Sequence, residues 1–276
     1  ARSGAEILAQ GNLVVTRGAQ RATGARLVYS RTATNGQALL TGEPRWSAPD
    51  ATGGADTLIF DRERNSFAGQ GNGWIRAQRG AAQPGQPAPV LEAHADRYEY
   101  RGDAATLTGH VRAEDPQWKL ACGEMLLRNA PGTNRLEQVL ARQGVTIEQA
   151  AVAKGQVPWR LNARQARMDM APAGAQMSCI VAEEQIVIEP ARAALAGEQG
   201  LPWRLHCDRL TLALAGEAGR LDNVVAENHI RIEQTGAAGA GAEFPWKLDC
   251  DRLTLFMAAN RTNQVDRVLA EQNVAL

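Results

Sequence analysis

Aromatic residues make up only 5% of this 276-residue chain, although 44% of it is hydrophobic, so any core must be mainly aliphatic. An excess of one charge is also missing. Thirty basic and thirty acidic residues give a formal net charge of zero, and that balance argues against a nucleic-acid partner. Lysine is scarce: Lys119, Lys154 and Lys247 are the only three, and the other basic residues are arginine. Arginine favours bidentate phosphate contacts, but a GC-rich coding bias accounts for the same excess and for the many alanines. Long apolar runs are absent too. The longest, Leu210–Ala215 and Leu253–Ala259, fall far short of the ~20 residues a membrane-spanning helix needs. The chain opens on Ala1 rather than methionine, as expected where a leader or anchor has been removed.

Signatures of catalysis are missing as well. There is no Walker phosphate loop, no Gly-x-Ser-x-Gly elbow and no His-Glu-x-x-His. Gly69-Gln70-Gly71-Asn72-Gly73 is rich in glycine but lacks the following helix of a phosphate site, so a hairpin turn is expected there. His94, His110, His206 and His229 show no ligand spacing and read as solvated surface residues. No catalytic residue, metal or cofactor is expected.

What the chain does have is a repeat, and fixed self-similarity is the signature of stacked architectures. A small anchor residue precedes an apolar pair spaced by two at Gly24, Ala55, Ala95, Cys122, Ala163, Cys207 and Cys250. Tryptophan opens the last four copies, at Trp118, Trp159, Trp203 and Trp246. Each of these phrases is followed by an echo such as Val224, Ala226, Ile230 and Ile232. Period two dominates: Trp203, Leu205 and Cys207 share one face, while Arg204, His206 and Asp208 take the other. After Cys207 the phase slips by one, because Leu210 and Leu212 carry the next apolar pair. A bulge or corner at Asp208-Arg209 would keep both sets inward. The echo around Leu136, Val139 and Leu140 also suits a short helix, but β-branched residues returning at period two favour strand.

The expected architecture is one elongated all-β domain over residues 1–276 made of about seven stacked two-strand repeats, irregular over 1–116 and tryptophan-led over 117–276. Linkers rich in Ala, Gly, Pro and Gln recur at 79–90, 150–158, 190–202 and 235–245 and are expected to project from one edge. Cys122, Cys207 and Cys250 fill the anchor position that glycine or alanine fills elsewhere, so they read as small buried residues. Cys179 is expected outward. On a 4.8 Å layer spacing, Cys207 and Cys250 would lie in adjacent layers, just within disulfide reach. Asp96, Asp208 and Asp251 follow their anchors directly, each with Arg97, Arg209 or Arg252 next. That row reads as a stabilising charge stack, and the adjacent arginines disfavour a cation site.

The pattern resembles the repeat of the OstA-like proteins of lipopolysaccharide transport, which include periplasmic bridge proteins and the N-terminal domain of the outer-membrane translocon. Ala95-Asp96-Arg97-Tyr98-Glu99-Tyr100 with Leu107-Thr108-Gly109-His110-Val111 carries the resemblance, as does the stretch Glu6 to Val15. The resemblance implies a β-jellyroll folded like a taco, also called a β-taco. It implies an apolar interior for acyl chains, a periplasmic location, and edge strands that join copies or other jellyroll transport proteins head to tail. Val274-Ala275-Leu276 reads as such an uncapped strand. Lipopolysaccharide or a related glycolipid would be the guest. It would lie along Leu27, Tyr29, Leu58, Phe60, Tyr98, Tyr100 and Leu127, continuing along Leu161, Leu205, Leu212, Leu248 and Leu255, with Val224, Ile230 and Ile232 opposite. Two other readings compete with this one. A closed β-solenoid scaffold would bind proteins through its edges. A carbohydrate-active solenoid enzyme would need outward carboxylates without paired arginines, and the sequence does not supply them.

Overall fold

A computed structural model describes residues 5–31, 36–78, 90–133, 135–149, 158–171, 176–190, 203–215, 220–234, 247–257 and 265–275. Of these, 86% lie in β-strands, and no helix occurs among them. The first nine strands are β1 (Ala5–Arg17), β2 (Gln20–Arg31), β3 (Gly36–Thr41), β4 (Arg45–Ala48), β5 (Ala51–Gly54), β6 (Thr57–Asp61), β7 (Ser66–Gln78), β8 (Val90–Arg101) and β9 (Ala104–Glu114). The remaining eight are β10 (Trp118–Asn129), β11 (Leu136–Gln149), β12 (Trp159–Met170), β13 (Met177–Pro190), β14 (Trp203–Ala215), β15 (Arg220–Gln234), β16 (Lys247–Met257) and β17 (Val265–Glu271). The all-β expectation holds, and the echoes are strands rather than helices.

Seven phrases and eight echoes account for the strand count. β2, β8, β10, β12, β14 and β16 are phrases, while β1, β7, β9, β11, β13, β15 and β17 are echoes. The remaining echo and the remaining phrase are each cut in half. Left-handed Gly42 and Glu43 (φ 81° and 54°) separate β3 from β4, and both halves pair with β2. Ala55-Asp56 separates β5 from β6, and both halves pair with β7. Wherever a register is resolved, neighbours pair antiparallel, as short connections between consecutive strands require.

The cuts mark a corner that every repeat shares. Echoes turn at a pair of left-handed residues: Gly71-Asn72, Gly109-His110, Gln143-Gly144, Glu184-Gln185, Asn228-His229 and Gln272-Asn273. On β13 two residues separate Glu183 from Ile186, while on β14 only Asp208 separates their partners Arg209 and Cys207. The phase slip expected at Asp208-Arg209 is present, since Cys207 and Leu210 are both buried. The surplus residue, however, belongs to the echo strand. Its position follows from backbone sterics, because glycine and asparagine enter the left-handed region at least cost.

Three sequence expectations are corrected. Gly69-Gly73 is not a hairpin turn; it lies inside β7, and Gly71-Asn72 forms its corner. Cys207 and Cys250 cannot bridge, because Ile186 and Ile230 flank this row and the whole of β15 separates β14 from β16. Anchors of successive repeats therefore lie two strand spacings apart, about 9–10 Å, beyond disulfide reach. All four cysteines are free. Nor do the corner aspartates pair with the arginines beside them. Asp96 accepts from His110 at 2.8 Å, Asp208 from His229 at 2.7 Å and Asp251 from Asn273 at 2.6 Å. Arg97, Arg209 and Arg252 reach Glu99, Glu227 and Glu271 instead.

Packing divides the chain into two compact units. The first comprises Ala1–Glu114 and Gly123–Val139, the second Asp115–Cys122 and Leu140–Leu276. The expected edge linkers lie almost wholly outside the described residues, as do Trp246 and the Trp203 side chain.

Candidate functional site

In each unit the corners divide the strands into two arms, and the apolar face of each arm turns inward. In the second unit one row crosses six strands: Met168, Ile180, Leu212, Val224, Leu255 and Val268 are successive partners. On the other arm Leu161, Ile188, Leu205, Ile232 and Leu248 form a parallel row. Between them Ile186, Cys207, Ile230 and Cys250 lie just before the corner. The expected residues Leu161, Leu205, Leu212, Val224, Ile230, Ile232 and Leu248 are all buried here. Burial fades along the first row. Leu212 is sealed, Leu255 is half-buried, and Val268 is 53% exposed.

Aromatic residues fill the first unit. One row runs Ile7, Tyr29, Ala38, Phe60, Phe67 and Tyr100. The next runs Leu27, Leu40, Leu58, Gly69 and Tyr98. Gly69 is required to be glycine: a side chain there would enter the Tyr98 ring. Trp46, on the opposite arm, closes the space between them. Its Nε1 donates to the Tyr98 hydroxyl at 2.8 Å, and its ring meets Phe67 and Tyr100 edge-on with centroids 5.5 Å apart. Burial raises the Tyr98 and Tyr100 phenols well above their usual range, so both remain protonated donors. Leu58, Tyr98 and Leu127 are buried, whereas Leu27, Tyr29, Phe60 and Tyr100 are half-buried. Burial again fades toward the edge strand, and Ile7 on β1 is 57% exposed.

The sequence reading therefore identifies the inner rows but misses the residues that fill the space between the arms in the first unit. Trp46 opens no repeat phrase, so its inward position had no signal. Phe67 had one, because alternation from Phe67 to Gly69 places it opposite Phe60.

The outer faces are polar. In the second unit Arg160 pairs with Glu148, Arg204 with Glu189 at 2.8 Å, and Arg231 and Lys247 with Asp249 at 3.0 and 2.6 Å. Those two cations hold the Asp249 carboxyl below its usual range, Lys247 foremost. Exposed pairs of this kind are screened by solvent and contribute little to stability; they neutralise one another. Inside, burial and then Asp208 push the Cys207 thiol up to about 12, so it is an inert packing residue. Cys179 is half-buried rather than fully outward. Among the described residues no group of three or more His, Cys, Asp or Glu is placed to hold a metal ion.

No family model, curated protein or solved structure matches this chain.

Proposed function

We propose that this chain is a non-enzymatic lipid carrier that holds the acyl chains of lipopolysaccharide or a related glycolipid between the arms of a β-jellyroll, as a periplasmic bridge or chaperone. One observation carries the reading. Burial of the inner apolar rows falls from Leu212 through Leu255 to exposed Val268, and from Tyr98 beside Tyr100 through Tyr29 to exposed Ile7. Hydrocarbon entering at such an edge would exchange water for aliphatic side chains, and each methylene shielded contributes roughly 0.8 kcal/mol. Similar aliphatic contacts on successive strands would let a chain slide without a deep trap. The sequence resemblance to OstA-like proteins points the same way.

The edge strands fit the second half of the proposal. On β1, Ile7 and Leu8 are adjacent and therefore on opposite faces, and both are mostly exposed; on β17, Val268 and Leu269 repeat the pattern. Strand addition to another jellyroll protein or to a second copy would cover them.

The test is mass spectrometry of lipid extracted from the purified protein, with photo-crosslinking at the Val268 edge. Lipopolysaccharide or a related glycolipid should be recovered, and Leu255→Asp should reduce crosslinking in a folded protein. Unchanged crosslinking would count against the carrier reading. The alternative, a scaffold that binds proteins through its edges, is favoured by the first unit, where the Trp46–Tyr98 bond and five aromatic rings already fill the space between the arms. In that case no lipid would co-purify.

A further inference from the structure

Several strands of the first unit are apolar on both faces. Ile7-Leu8-Ala9 on β1, Leu27-Val28-Tyr29 on β2, Ala38-Leu39-Leu40 on β3 and Leu58-Ile59-Phe60 on β6 break the alternation of two. A strand with one face in water alternates, whereas an unbroken apolar run suits a strand covered on both sides. The outer members of each run face the interior between the arms. The middle residue points the opposite way, out of the unit.

Strand register brings these middle residues together. Leu8, Val28, Leu39, Ile59 and Ala68 are successive partners, and the strip stops at Glu99, the partner of Ala68 on β8. Leu8 is 55% exposed, while Val28, Leu39 and Ile59 are half-buried. The comparable outer row of the second unit is Val181, Thr211, Val225, Thr254 and Leu269, broken by two threonines. Polar rows flank the aliphatic strip. Glu6, Ser30, Gln37 and Asp61 lie on one side, and Gln10, Arg26, Thr41 and Thr57 on the other. Asp61 is buried and accepts from the Arg64 amide at 2.9 Å. Glu6 and Arg26 are exposed, and neither has an ion-pair or hydrogen-bond partner among the described residues. Each flank thus offers one free charge, and the two are opposite in sign.

We propose that this strip is a contact between two copies of the chain, packed face to face about a twofold axis that runs along it. Sheets stack about 10 Å apart with their strands aligned to within about 30°. Rotation about that axis lays each strip on the partner's strip. It also brings the Arg26 flank of each copy over the Glu6 flank of the other, twice, as an isologous contact requires. An axis parallel to the strands would lay each flank on itself and leave both charges without a counter-ion. Within one copy the two cannot meet. Arg26 lies opposite Gln10, and Gln10 is four residues from Glu6, about 13 Å along the strand. A lipid surface is a poorer match, because these flanks carry no excess of positive charge. Five strands and three rows cover roughly 24 by 20 Å, hence about 500 Å² per copy and about 1,000 Å² in total. That is the lower limit of specific interfaces, so the dimer is reversible. The contact uses none of the inner rows and is independent of the carrier reading.

The test is sedimentation velocity of the full chain from about 1 to 500 µM, where a monomer–dimer equilibrium is expected. Leu39→Asp should raise the dimer Kd at least about tenfold. Arg26→Glu and Glu6→Arg should each raise it at least about threefold, and the double variant should return it to within about twofold of the original, because both ion pairs are remade in reverse. These two side chains are exposed, so the charge exchange decides the matter even if Leu39→Asp fails to fold. Leu255→Asp should leave the Kd unchanged, which separates failure here from failure of lipid loading. A monomer at the highest concentration would overturn the proposal, as would charge reversals whose losses add instead of cancelling. Association that survives Leu39→Asp but is lost in Leu269→Pro would assign the contact to strand addition at the edge and overturn it too.

Discussion

The two units build the same corner-folded strands and fill them differently. Between the arms of the first are Trp46, Phe60, Phe67, Tyr98 and Tyr100, with one polar bond fixing the geometry. Inner positions of the second carry mainly leucine, isoleucine, valine, methionine and cysteine, with Trp118 and Trp159 at the starts of their strands. Rings joined by a directed bond specify a single spacing. Flexible aliphatic and methionine side chains tolerate repacking. One repeat can therefore give a rigid interior in one place and an adaptable one in another. The adaptable one is where a guest would be accommodated at least cost.

Substitutions can break or sharpen that contrast. Tyr98→Ala should have the largest effect, losing about 3–5 kcal/mol in chemical denaturation, because a sealed ring is replaced by a cavity. Tyr98→Phe should cost only about 1 kcal/mol, the net value of the bond from Trp46. A cost as large as that of the alanine variant would mean that the hydrogen bond, not packing, dominates the first unit. Leu212→Ala should lose about 2–5 kcal/mol, and Leu255→Ala clearly less, since it is already half-exposed. Equal losses would remove the gradient of burial on which the carrier proposal rests. Gln185→Gly should raise stability by up to about 1 kcal/mol, because the relief of an L-residue held at φ 55°, about 1–2 kcal/mol, exceeds the extra backbone entropy that glycine loses on folding, about 0.5–1 kcal/mol. No gain would show that the corner holds its residues by side-chain contacts rather than by backbone tolerance.

The smallest expected effect concerns pH. His229 donates to Asp208, and that bond, reinforced by the Asp208 charge, raises its pKa above the ordinary ~6.5. A raised folded pKa stabilises the fold fully below the unfolded value, and this is lost as pH rises through the folded value. His229→Asn, which copies the Asn273 corner, should abolish that component in an NMR-monitored titration, with little change in overall stability because the pair is exposed. A stability change unaltered by the substitution would assign the pH dependence elsewhere.

Much of this was legible in the chain. Alternation through Leu205, Cys207, Leu210 and Leu212 identified strand, inner face and phase slip together, because a period of two with one slip has few physical solutions. Small anchors were legible for the same reason: Gly24 faces Leu40, 2.7 Å from where its Cβ would stand. The fate of the polar residues was not. His110 and His229 read as solvated surface, and they are exposed, but each is tied to an aspartate from the neighbouring strand, which local spacing does not reveal. Counting repeats as single layers placed Cys207 and Cys250 side by side, although each repeat contributes two strands.

By itself, the sequence determined that this protein is built from β-strands, that the strands repeat in phrase–echo pairs, and which side chains face inward. Those properties are periodic and local, and each follows from residues close together in the chain. Only the tertiary structure decided where the surplus corner residue goes, that Trp46 meets Tyr98, and where the inner rows lose their cover. These depend on which arm lies opposite which, and such pairings join residues fifty positions apart through contacts that no local pattern encodes.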